Sequence, residues 1–103
     1  MEAVWERFLR YAALDTQSDP ESGSCPSTGK QRVLGEMLVR ELQELGVADA
    51  RMDGYGYVYA SLPATGGADL PALGFIAHLD TSPDAPGAGV RPRLCLLYTS
   101  RCV

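Results

Sequence analysis

The chain carries one histidine, His78, inside the run Phe75-Ile76-Ala77-His78-Leu79-Asp80-Thr81. In extended backbone the side chains at positions i and i+2 point to the same face, so His78 and Asp80 become neighbours and Leu79 turns away. A neutral imidazole can hold Zn²⁺ through one ring nitrogen while a nearby carboxylate accepts a hydrogen bond from the other, or orients and polarises the ring. The same pair also fits a hydrogen-bonded structural histidine, and Asp84, following Pro83, also fits a plain turn residue. The spacing admits both readings.

The elements that must position this pair follow from periodicity. Ala72 to Ala77 is a nearly continuous apolar run of strand length, the pattern of a central strand covered on both faces. Strand ends in α/β sheets are where catalytic groups collect. Upstream, Val4, Trp5, Phe8, Leu9 and Ala12 recur at helical spacing and predict an amphipathic helix over Glu2 to Leu14. Asp15 to Ser27, broken by Asp19-Pro20, Gly23 and Pro26, reads as an exposed loop. Ser27 or Thr28 is placed to cap a second helix whose stripe runs from Val33 to Leu45 and stops at Gly46, with Glu41 and Glu44 on its solvent side. Ala50 to Asp53 and Tyr57 to Leu62 then read as two strands around a Gly54-Tyr55-Gly56 turn, with Pro63 and a glycine-rich link, Ala64 to Leu70, after them. Two helices followed by strands predict a layered α/β domain.

Bulk properties narrow the partners. Thirteen acidic against nine basic residues give a formal net charge of -4 with no basic cluster, which argues against nucleic acid. No apolar run approaches the roughly 20 residues needed to cross a bilayer, so no membrane partner is expected. Cys25, Cys95 and Cys102 make no CxxC pair and no even-numbered framework, which fits a reducing, cytoplasmic setting. The last stretch, Cys95 to Val103, matches the translation of a nucleotide string that resembles two joined transposase mosaic ends. Residues 95–103 are therefore expected to be a non-native tail and 1–94 the natural part; the alternative is a short final strand.

The run Gly74-Phe75-Ile76-Ala77-His78-Leu79-Asp80-Thr81-Ser82-Pro83-Asp84 closely resembles the first metal-site motif of peptidase T, a family of di-zinc exopeptidases. Phe8 to Tyr11, Leu14-Asp15-Thr16-Gln17-Ser18, Pro26-Ser27-Thr28, Leu42 to Gly46 and Ala60 to Ala64 resemble it too, in the family's order, so the likeness covers residue 1 to about residue 94. It implies the N-terminal part of a zinc-exopeptidase α/β/α sandwich with a mixed sheet. It also implies His78 as a ligand of one of two zinc ions and Asp80 as the catalytic-site carboxylate that orients it. Asp15 to Ser18 match a family signature for which no catalytic role is assigned.

The activity implied is an aminopeptidase that releases N-terminal residues from tripeptides, with short peptides as substrates. Family members use a glutamate base and further carboxylate and histidine ligands that match no residue of this chain, so the chain alone is expected to be inactive. A full-length parent is free to be a monomer or a homodimer. Two rival readings remain: another di-zinc member, a dipeptidase or deacylase, which shares His-x-Asp, and a small non-catalytic α/β domain in which His78 is structural.

Overall fold

The computed structural model describes residues 2–67 and 69–94. The expected tail, 95–103, lies outside the described residues. Four elements follow in order: helix α1 (Val4–Ala12), helix α2 (Gln31–Glu44), and strands β1 (Arg51–Met52) and β2 (Val58–Tyr59). This is a small α/β unit in which the hairpin packs on α2.

Helix α1 begins where the Glu6 carboxylate reaches back to accept the Ala3 N–H at 2.9 Å, one half of a reciprocal cap. Its apolar face is open: Val4, Trp5 and Phe8 are all exposed. What ties α1 to α2 is polar. Glu41 accepts hydrogen bonds from both Arg10 and the Tyr11 hydroxyl, and Arg10 also pairs with Glu2 at 2.7 Å. The expected solvent position therefore holds for Glu44 but not for Glu41, whose side chain is only 13% exposed. Glu41 lies seven residues after Leu34, so helical periodicity returns it to the Leu34 side, where α1 lies and supplies donors.

Helix α2 starts at Gln31, later than expected, and neither Ser27 nor Thr28 caps it through its side chain. Both are drawn elsewhere. The Ser27 hydroxyl accepts the Asp19 N–H, Thr28 Oγ1 donates to the Gln17 carbonyl, and the Gln31 amide bonds to both hydroxyls. The far end stops as the sequence predicts. Gly46 takes φ of 91°, its N–H donates to the Gln43 carbonyl, and the Val47 N–H donates to the Leu42 carbonyl. That paired motif satisfies carbonyls the helix leaves open and needs the left-handed backbone that glycine adopts without cost.

The hairpin is antiparallel, with Arg51 opposite Tyr59 and Met52 opposite Val58. Asp53 closes the turn, its carboxylate accepting the Tyr55 and Tyr57 N–H groups at 2.9 and 3.0 Å. Gly56 sits at φ of 85° with Pro26 against it. The strands are shorter than expected because the Ser61 N–H turns to the Asp49 carboxylate and leaves the ladder. Leu34 and Ala50 form the small apolar core, and Gly35 lets Met52 approach the helix closely.

The central strand expected over Ala72 to Ala77 is not present. The segment forms no ladder, and its apolar side chains face solvent, with Phe75 at 90% and Ile76 at 102% exposure. A strand is held by neighbours on its edges and covered on its faces. The described residues supply this stretch with neither, and its one backbone tie comes just after it, at an isolated parallel bridge between Gln17 and Thr81.

Candidate functional site

His78 and Asp80 do meet, although outside a strand. His78 Nδ1 lies 2.7 Å from the Asp80 carbonyl oxygen and 3.1 Å from Asp80 Oδ1. The backbone carbonyl and the ionised carboxylate are both acceptors, so these contacts call for the tautomer with its proton on Nδ1 and a lone pair on Nε2. The imidazole is largely exposed, at 83%, so that nitrogen is open to a ligand. Only Leu79 separates the two residues, so the contact itself is short in sequence.

Behind the pair, the chain is fixed by the stretch Asp15 to Ser18. The Thr81 N–H donates to the Thr16 carbonyl at 3.1 Å, and the Ser18 N–H and hydroxyl both donate to the Thr81 carbonyl at 3.0 Å. Thr16 is buried, at 2% exposure. The Gln17 side chain extends the tie, its amide nitrogen donating to the Pro83 carbonyl at 3.0 Å and the Ala85 carbonyl at 2.9 Å. Asp15 anchors the near side: Oδ1 accepts the Gln17 N–H at 3.0 Å and Oδ2 meets Lys30 Nζ at 2.8 Å. The Lys30 ammonium, and then the Gln17 N–H, hold the Asp15 carboxyl below its ordinary range. Gly87 is buried against Asp15 and Gln17 with no room for a side chain.

Asp84 occupies the turn after Pro83, its carboxylate accepting the Ser82 hydroxyl at 3.0 Å and its N–H donating to that same oxygen at 3.2 Å. This is the plain turn role. Across from His78, an open groove of about 530 Å³ runs between the hairpin and the 75–80 segment, with Cys25, Gln31, Tyr57, Tyr59, His78 and Asp80 on its walls. Cys25 is a free, exposed thiol on that wall.

Among the described residues no three His, Cys, Asp or Glu side chains come together in a way that could hold a metal ion. His78 fits as one ligand, with Nδ1 braced and Nε2 open, but a catalytic zinc site takes about three protein ligands. The roles of Asp15 and Gln17 are not visible from residue types alone. The signal was the signature Asp15-Thr16-Gln17-Ser18 itself, whose partners lie more than sixty residues on and are invisible to local patterns.

No protein-family model matches the chain. Curated relatives do. It is 57% identical over 98 residues to peptidase T of Desulfitobacterium hafniense (strain DSM 10664 / DCB-2), covering 95% of this chain and 24% of that protein. Peptidase T of Aliivibrio salmonicida is 48% identical over all 103 residues, 25% of its length, and that of Geobacillus kaustophilus is 52% identical over 93 residues, 90% of this chain and 23% of its own. No helix among the described residues is long and apolar enough to cross a membrane. The chain spans about a quarter of the length of these relatives, and identity at this level across nearly all of its residues means that it belongs to the peptidase T family.

Proposed function

We propose that this chain is the N-terminal portion, residues 1–94, of the catalytic domain of a cytoplasmic zinc aminopeptidase that releases N-terminal residues from tripeptides. The complete domain, on this reading, is an α/β/α sandwich with a mixed sheet. The observation that carries it is the braced imidazole: His78 Nδ1 is held by Asp80, and Nε2 is left open on the wall of a groove. In the complete protein His78 would hold one of two zinc ions, and Asp80 would fix the orientation of the ring. Bound zinc supplies Lewis acidity toward water and the peptide carbonyl. The chain's own contribution is to aim one ring nitrogen and keep its proton on the other side. With one imidazole and no group of three ligating side chains among the described residues, the chain by itself is inactive and holds zinc only weakly.

The reading is tested by grafting residues 1–94 in place of the matching stretch of the Desulfitobacterium hafniense relative and assaying tripeptides, dipeptides and N-acylated amino acids. Chelator-sensitive release of N-terminal residues, fastest from tripeptides, is the expected result. Preference for dipeptides or acylated substrates would replace it with the rival di-zinc activities. An inactive but folded graft that binds no zinc would favour a non-catalytic domain.

A further inference from the structure

We infer that Gln17 is a positioning residue for the His78–Asp80 pair, acting through the loop that follows it. The inference rests on the reading of His78 as a metal-facing imidazole. The path is continuous. Gln17 holds the Pro83 and Ala85 carbonyls on both sides of Asp84, the Gln17–Thr81 bridge fixes the residue directly after Asp80, and Asp80 then meets His78 Nδ1 through its carbonyl and its carboxylate. Gln17 is itself held on three sides. Asp15 accepts its N–H, Thr28 donates to its carbonyl at 2.8 Å, and Gly87 lies against its Cβ position at a distance that leaves no space for a methyl group.

The chemistry of the contact selects glutamine. Two carbonyl oxygens must each receive a proton from one terminal atom, which an amide –NH₂ provides and a carboxylate does not. Glutamate keeps the shape and reverses the electrostatics, setting negative charge against two carbonyl dipoles. Asparagine is one methylene short. Loss of the amide frees the 81–85 loop, and with it the acceptors that keep the proton on His78 Nδ1.

The test uses ¹⁵N NMR on the 103-residue chain at a pH where the imidazole is neutral. In the unsubstituted chain the His78 ring should show Nδ1 protonated and Nε2 bare, and the Gln17 side-chain amide should give cross-peaks to Pro83 and Ala85. In Gln17→Ala and Gln17→Glu the ring nitrogens should move toward averaged values, and the Thr81 amide should exchange about tenfold faster, as loss of a hydrogen bond allows. Gln43→Ala removes a comparable amide-to-carbonyl tie, to Ala50, and should leave His78 unchanged. Variants that keep the original His78 signature and Thr81 exchange would overturn the role of Gln17 while leaving the metal reading standing. A bare Nδ1 in the unsubstituted chain would overturn both. Should a variant fail to fold, the Gln17 amide cross-peaks still decide: their absence sinks the inference.

Discussion

At the scale of single residues, His78 and Asp80 stand two positions apart, which is why their spacing in the sequence already suggests the contact. The clamp behind it depends on contacts across more than sixty residues, such as Gln17 to Ala85, and no periodicity encodes those. Gly87 offers the sharpest probe of that contact. A methyl group there overlaps the Asp15 carboxylate and crowds the Gln17 backbone, so Gly87→Ala should destabilise the chain by about 1–3 kcal/mol in urea denaturation, the usual cost of forcing atoms into packed space. Gly66, with nothing near its Cβ position, is the control, and Gly66→Ala should stay within about 0.5 kcal/mol. Equal effects at the two sites would mean that the 81–87 loop does not close on Asp15.

At the scale of elements, the helices and the hairpin are legible because each carries its own punctuation. Gly46 stops α2 and Gly56 turns the hairpin, both with positive φ. Gly56→Ala should therefore cost about 1–2 kcal/mol, the penalty for a side chain in left-handed backbone, while Gly54→Ala, in open space without that φ, should cost little. Melting curves of the two variants side by side check this. The Tyr11–Glu41–Arg10 cluster was not legible, since which face of a helix is covered depends on how another helix crosses it. Burial, and then the hydrogen bond to Glu41, push the Tyr11 phenol up to about 12. A phenol ionising near 10 in the unfolded chain thus holds its proton more tightly when folded. Its contribution is fully present below about pH 10 and is lost as pH rises through about 12, and Tyr11→Phe should flatten stability over that alkaline window. An unchanged alkaline limb in Tyr11→Phe would show that this phenol is not linked to folding.

At the scale of the molecule, the run Ala72 to Ala77 is written for the interior of a sheet, yet Phe75 and Ile76 stand in solvent. Its sequence signal is sound as a statement of apolar character. It fails as a statement of conformation because a strand exists only where neighbours pair with it. Backbone amides over 70–77 should accordingly exchange at rates close to those of an unstructured peptide, whereas Leu38 to Leu42 in α2 should be among the slowest. Slow exchange across 72–77 would mean that the strand forms after all.

The proposed role of His78 as a metal ligand of a peptidase T-type aminopeptidase is tested by bound zinc and tripeptide turnover in the grafted full-length protein before and after His78→Ala. Two zinc ions per chain should fall to about one or fewer, with turnover reduced at least about a thousandfold and melting behaviour little changed. A folded His78→Ala protein that keeps both its zinc and its turnover would contradict it.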